Sequence, residues 1–123
     1  FLGEWNQYSV DLKNIGFGVQ GQNLRYVTGF SQTTCTGYTA TPAPAEAGNN
    51  LSNTTTVSPN ATFVFTPTAV PTNGPSSCST TAFVARTYGS PKNSPVAADL
   101  AAGGLDNWTI NNNKQISNPQ VGL

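Results

Sequence analysis

The chain begins with the run FLGEWNQY at residues 1–8, and the interpretation of the whole sequence starts from it. Apolar side chains stand at positions 1, 2, 5 and 8, which is the spacing of one face of an α-helix. Eight residues are too few to hold a helix in water, because nucleation costs more than so short a stretch returns. The run therefore predicts the last turns of a longer helix. The 123-residue chain contains no methionine, and we expect an apolar upstream segment that the sequence does not include.

Several later segments alternate apolar and polar residues, as half-buried β-strands do. They are residues 24–30, 61–66, 80–88, 105–111 and, as a short return strand, 114–117. The asparagine run at 111–113 predicts a tight turn, because Asn tolerates left-handed geometry. Residues 31–60 have almost no apolar periodicity and predict a long irregular loop. The fold class expected from the sequence is α+β, with an antiparallel sheet of four to five strands beside the stump of a helix.

The composition is polar but nearly uncharged. Five basic and five acidic residues give a net charge of zero, and only 8% of the residues are charged. Binding to nucleic acid needs several cations that displace counterions from phosphates, so this surface is not expected to hold nucleic acid. A polybasic membrane patch is also missing. Thr, Asn, Ser, Gly and Pro make up half of the chain, a composition that suits an extracellular protein or, nearly as well, an ordinary loop-rich domain.

The two cysteines, Cys35 and Cys78, predict a disulfide. A small core usually needs a covalent staple, and a cysteine pair in so polar a chain indicates an oxidising compartment. Closing this loop would remove unfolded-chain entropy worth roughly 4 kcal/mol. The alternatives are free thiols or half of a zinc site, but the chain has no histidine and no further cysteine to complete zinc ligation.

No motif predicts catalysis, a cofactor or a metal. Without histidine, Ser-His-Asp and Cys-His arrangements are impossible. The spacing of the carboxylates favours no glycosidase pair. Residues 16–21 fit Gly-x-Gly-x-x-Gly by letter, but neither a buried strand before them nor a helix after them is predicted. We therefore expect a protein that is not an enzyme.

Four Asn-x-Ser/Thr sequons begin at Asn50, Asn53, Asn60 and Asn107. In a eukaryotic secreted protein such triplets suggest N-glycans, whereas in a bacterial protein they carry little weight. A chain this rich in Asn and Thr also yields them by chance, and Asn107 lies in a predicted strand, which is a poor place for a glycan. The sequence alone leaves the glycosylation state open.

Three parts of the chain carry a family resemblance. They are EWNQY at 4–8 with Ile15-Gly16-Phe17 and Arg25-Tyr26, then FVARTYG at 83–89, and finally DNWTIN at 106–111 with Lys114, Asn118 and Gly122-Leu123 behind it. At this spacing they resemble the type IV pilins, and most closely the short major pilins of the type IVa class from gliding and predatory Gram-negative bacteria. The resemblance covers residues 1–30 and 80–123, whereas residues 31–79 match no pattern that we can assign.

The resemblance implies a single pilin head domain over residues 1–123 that lacks its N-terminal helix. Its parts would be the end of the helix (1–8), an αβ-loop (9–23), a variable loop region with one strand (31–79), and C-terminal strands with a tail (80–123). Cutting away the helix would leave one apolar sheet face uncovered. The residues expected on the helix-packing or subunit-contact face are Phe1, Leu2, Trp5, Tyr8, Leu24, Tyr26, Phe83, Trp108 and Ile110.

The function implied by the resemblance is that of a structural subunit of a type IV pilus, an extracellular fibre used for adhesion, twitching motility or DNA uptake. Its partners would be copies of itself and a surface receptor. It would touch the inner membrane only through the missing helix, before assembly. Two alternatives stay open: a carbohydrate-binding β-sandwich module of a secreted protein, which would stack sugars on aromatic side chains, and a pseudopilin of a secretion machine.

Overall fold

A computed structural model describes residues 2–64, 76–90 and 106–120 of the chain. Within these residues there is one helix and there are seven strands. They are α1 (Leu2–Trp5), β1 (Gly21–Leu24), β2 (Tyr26–Gly29), β3 (Ala61–Phe63), β4 (Ser77–Cys78), β5 (Phe83–Gly89), β6 (Asp106–Asn111) and β7 (Ile116–Gln120). Phe1, the end of the predicted 61–66 strand and the Gly122-Leu123 tail lie outside the described residues.

Five of the described strands form an antiparallel sheet, which we call the main sheet. Its order is β2-β5-β6-β7, and β4 also pairs with β5. The register places Val27 opposite Tyr88 and Thr87 opposite Trp108. Paired residues share a face of the sheet, so the period of two in the sequence sorts these side chains onto opposite faces. The predicted antiparallel sheet of four to five strands is confirmed.

The expected α+β class needs a correction, because the described residues are mostly β. Helix α1 has four residues, none of them buried, and it does not cover the main sheet. In addition, β1 and β3 pair in parallel as a two-stranded small sheet that the sequence did not predict. The predicted strand at 24–30 is divided at Arg25, so that Leu24 becomes the last residue of β1; the positive φ angles at Gly21 (133°) and Asn23 (55°) lie in β1, ahead of the predicted strand. Leu24 therefore pairs with Phe63 in the small sheet, and not on the main-sheet face where we expected it.

The two faces of the main sheet are packed by different parts of the chain. On one face, Val27 and Tyr88 are fully buried against Leu51 and Phe63. On the other face, Phe83 and Ala85 pack against a larger core. The buried members of that core are Val10, Leu12, Phe30, Cys35, Val57 and Cys78. Residues from the long loop thus contribute to both cores, which ties the loop to the sheet.

The turn between β6 and β7 forms where the asparagine run predicted it, but by a different mechanism. The positive φ angle belongs to Lys114 (62°) and not to an asparagine. Asn111 acts instead through its side chain, whose Oδ1 accepts hydrogen bonds from the N–H groups of Asn113 (2.9 Å) and Gln115 (3.1 Å). An Asx-type bond of this kind stabilises a turn without placing the asparagine itself in the left-handed region.

Candidate functional site

An apolar groove lies on the main-sheet face that carries Phe83 and Ala85. It has a volume of about 310 Å³, and none of the described residues that line it carries a charge. The side chains that shape it are Leu2, Tyr8, Leu12, Phe30, Phe83 and Ile110. We refer to this feature as the apolar groove.

The strand register builds the floor of the apolar groove. Ala85 of β5 stands opposite Ile110 of β6, and Phe83 lies two residues before Ala85 on the same face. The ring of Phe83 meets the ring of Tyr8 edge-on, with 5.0 Å between centroids. A second edge-on contact joins Phe83 to Phe30 at 6.4 Å. These paired aromatics hold the floor in one arrangement.

A helical turn after α1 forms one wall of the groove. The Ile15 N–H donates to the Asp11 carbonyl (3.1 Å), and the Phe17 N–H donates to the Leu12 carbonyl (2.9 Å). Gly16 takes a positive φ of 78° inside this turn. Ile15 and Phe17 line the groove while remaining 38% and 36% exposed to solvent. The turn thus presents large apolar side chains on the molecular surface.

The exposed apolar surface extends past the groove along the same face. Trp108 and Ile110 of β6 are each 42% exposed, and Ile116 of β7, which pairs with Ile110, is 67% exposed. Scattered apolar residues on a surface are ordinary, but a contiguous group of this kind marks an interaction site in many soluble proteins. The apolar groove and the adjoining exposed side chains of Trp108, Ile110 and Ile116 therefore form the best candidate for a functional surface.

The structure brings together four of the side chains expected on the helix-packing face, namely Leu2, Tyr8, Phe83 and Ile110, around the apolar groove. Tyr26 and Trp108 share the same sheet face but do not line the groove. Trp5 lines a separate depression together with Thr39 and Pro42.

The side chains of Tyr26 and Trp108 converge on one carboxylate, that of Asp106. The Tyr26 hydroxyl donates to Asp106 Oδ2 at 2.8 Å, and the Trp108 Nε1–H donates to the same oxygen at 2.9 Å. Burial, together with the bond to Asp106, raises the pKa of Tyr26 to about 12. Asp106 stands two residues before Trp108, so both side chains leave β6 on one face. That spacing was the available signal for the cluster.

The predicted disulfide between Cys35 and Cys78 is confirmed. Both cysteines are buried, and Cys78 belongs to β4. Side chains fix the backbone on each side of the bond: the Cys78 N–H donates to Gln32 Oε1 (2.6 Å), and the Cys35 N–H donates to Glu46 Oε1 (2.8 Å). The bond therefore anchors the start of the long loop to the edge of the main sheet.

The described part of the chain includes no helix long and apolar enough to cross a membrane. Residues 16–21, which fit the glycine motif by letter, lead into strand β1 and not into a helix.

No family model matches this chain, and no curated protein or solved structure matches it either.

Proposed function

We propose that this chain is the head domain of a structural subunit that assembles into an extracellular fibre of the type IV pilus kind. The observation that carries the proposal is the apolar groove, an uncharged concave surface on one face of an antiparallel sheet. The resemblance of residues 1–30 and 80–123 to the type IV pilins points in the same direction.

The occupant that we propose for the apolar groove is an apolar α-helix of the fibre, continuous with α1. Leu2 of α1 lines the groove, and its side chain is 40% exposed to solvent. The helix itself has only four residues. So short a helix is marginal in water, and most helical stability in proteins comes from packing an apolar face. A longer helix in this direction would gain the Ile15, Phe17 and Ile110 surfaces as packing partners.

In this proposal the chain acts by packing and carries out no chemical reaction. Its partners are further copies of itself, with a surface receptor contacted by the polar loops of the head. It is held in the inner membrane through the proposed helix before assembly, and it is extracellular in the fibre. The near absence of charge suits close lateral packing, because few ions lose their hydration when subunits approach.

The experiment that tests this function starts from fibres sheared from the source cells. Antibodies raised against the 123-residue chain should decorate these fibres along their whole length in immunogold electron microscopy. Mass spectrometry of the fibres should recover peptides of the chain as the main component. Fibres that lack the chain, or label only at their bases, would contradict the role of a major subunit; label at the bases would favour the pseudopilin alternative.

A substitution in the groove tests the proposed occupant separately. Ile110→Asp places a charge in the groove floor, where an apolar helix cannot solvate it. We expect fibres to disappear while the head domain still folds, because Ile110 is 42% exposed in the isolated chain. The matched control is Asn113→Asp, which adds the same charge in the exposed β6–β7 turn. Normal fibres from cells carrying Ile110→Asp would exclude the groove as the helix site.

One observation favours the carbohydrate-binding alternative as a second candidate. The Trp108 indole is 42% exposed, and its ring edge is fixed by the bond to Asp106, so a sugar ring could stack on it at little entropic cost. Titration of the chain with neutral mono- and oligosaccharides, followed by tryptophan fluorescence, tests this candidate. Saturable binding that is lost in Trp108→Ala and kept in Ile116→Ala would support it.

A further inference from the structure

We infer that Asn60 is an acceptor site for an N-linked glycan, and that the other three sequons of the chain are not. All four sequons lie in the described residues. Their exposure therefore shows which asparagine a transferase can reach and at which asparagine the folded protein can carry a glycan. An acceptor needs an exposed Asn side chain and an exposed Ser or Thr two residues later. Asn60 and Thr62 meet both conditions.

Burial excludes the sequon in strand β6. Asn107 is 0% exposed and Thr109 is 6% exposed. Asn107 also pairs with Tyr88 in the middle of the main sheet. A glycan on Asn107 would have to pass through the packed face of the sheet.

The sequons at Asn50 and Asn53 have asparagine side chains that are packed into the fold. The Asn50 Nδ2 group, which would form the glycosidic bond, donates to the Phe30 carbonyl at 2.8 Å. Ser52 of the same sequon is 1% exposed, and its hydroxyl accepts the Thr28 N–H at 2.9 Å. At Asn53 the side chain is half-buried and its Oδ1 atom is enclosed. Modification of Asn50 would break its bond to Phe30 at the end of the edge strand β2, and modification of Asn53 would have to accommodate a sugar at a half-buried side chain.

The Asn60 sequon differs from these in its exposure. The Thr62 hydroxyl also accepts a backbone N–H, that of Asn23 at 2.9 Å, but Thr62 is exposed whereas Ser52 is buried. Asn60 follows Pro59 in an exposed turn that is closed by a bond from the Ala61 N–H to the Ser58 carbonyl (3.2 Å). Strand β3 begins at the next residue, so the side chain stands at the end of the small sheet. Asn60 borders an open surface depression and is not among the residues that line the apolar groove. A glycan there would leave the groove accessible, so this inference does not depend on the proposed fibre.

The modification is a group transfer from a lipid-pyrophosphate-linked oligosaccharide. The Asn60 Nδ2 nitrogen forms a bond to C1 of the first sugar and gives up one proton. The bond between that carbon and the pyrophosphate oxygen breaks, and the lipid pyrophosphate leaves with the electron pair. No oxidation or reduction takes place.

To test this inference, the 123-residue chain is expressed with a secretion signal in a eukaryotic cell line that performs N-glycosylation. We expect the secreted protein to carry one glycan, released by peptide N-glycosidase with conversion of Asn60 to Asp. Asn60→Gln should remove the glycan completely. Thr62→Ser should keep it and Thr62→Val should lose it, which separates loss of the acceptor from loss of folding.

Asn53→Gln is the matched control and should leave the glycan in place. Secreted chain without any glycan would overturn the inference, and so would a glycan on Asn50, Asn53 or Asn107 of the secreted, folded protein. These outcomes are independent of fibre formation, because the cell line has no pilus machinery and the groove is not probed.

Discussion

Glu46 holds Ser9 across 37 residues of chain, with its Oε2 accepting the Ser9 hydroxyl at 2.7 Å. The same oxygen accepts the Val10 N–H at 2.7 Å, and Oε1 accepts the Cys35 N–H at 2.8 Å. One carboxylate therefore joins three parts of the chain that are separated in sequence: Ser9 and Val10 after α1, Cys35 at the disulfide, and Glu46 itself in the middle of the long loop.

Replacing this carboxylate should destabilise the protein measurably. In Glu46→Gln, one acceptor oxygen becomes an NH₂ group that faces donors, so one partly buried N–H group, that of Val10 or that of Cys35, loses its partner. We expect the free energy of unfolding to fall by about 1–3 kcal/mol, measured by urea unfolding. Glu4→Gln is the control, because Glu4 is exposed. Equal midpoints for wild type and Glu46→Gln would show that the loop is held by other contacts.

Removing the disulfide should cost more than removing any one hydrogen bond. The Cys35–Cys78 bond closes a loop with a sequence separation of 43. We expect the Cys35→Ala/Cys78→Ala double variant to lose about 2–5 kcal/mol of stability, seen in parallel urea titrations. The thiol content of the denatured wild type should be zero until a reductant is added. Free thiols in the unreduced protein would contradict the bond.

The sequence predicted four of the five strands of the main sheet, because each of the four carries its own signal, whereas β4 lies outside every predicted strand. Residues 83–89 and 106–111 alternate clearly between apolar and polar side chains. The asparagine run marks the turn that connects residues 106–111 to the return strand. The disulfide followed from composition, since two cysteines in a chain without histidine have few other uses. These inferences need only local information, which a single sequence contains.

The small sheet and the Asp106 cluster depend on contacts that local patterns do not encode. The strand at 24–30 has continuous alternation, yet it divides at Arg25 because β1 pairs with β3, almost forty residues away, and β2 pairs with β5. Likewise, the role of Asp106 emerges only when β2 and β6 flank β5 and Tyr26 reaches across it. The periodicity of a sequence predicts strands, but it does not predict which strands pair or which distant side chains meet.

Close approach between β2 and β5 makes Gly89 sensitive to substitution. A Cβ added there would clash with the Arg25 carbonyl oxygen and would lie 2.9 Å from Tyr26 Cα. These are backbone atoms of the first residue of β2 and of Arg25 directly before it, so they cannot move without disturbing the pairing of β2 with β5. We expect Gly89→Ala to lose about 1–3 kcal/mol or more, measured by thermal unfolding. Gly3→Ala is the control, because a Cβ on Gly3 meets nothing within 4 Å. Equal unfolding temperatures for the two variants would refute the argument.

Alkaline pH should destabilise the protein in a window set by Tyr88, which is buried, and Tyr26, which is half-buried. Tyr88 is 0% exposed, and burial raises its pKa to about 12 from the ordinary value near 10. The folded state therefore favours the protonated phenol. Its contribution to stability is complete below about pH 10 and is lost as the pH rises through about 12. Tyr26 adds to this loss, because its pKa is also raised to about 12.

The Tyr88→Phe variant isolates this effect. Phenylalanine keeps the ring in the core but has no proton to lose, so the variant should lose less stability than wild type between about pH 10 and 12. Urea unfolding at a series of alkaline pH values gives the two curves, and tyrosinate absorbance reports ionisation directly. The two proteins differ only at residue 88, so the difference between the curves belongs to the Tyr88 phenol and its electrostatic coupling to Arg86. If the two curves were parallel across this window, the pKa of Tyr88 would not be raised in the folded state, which would contradict the prediction.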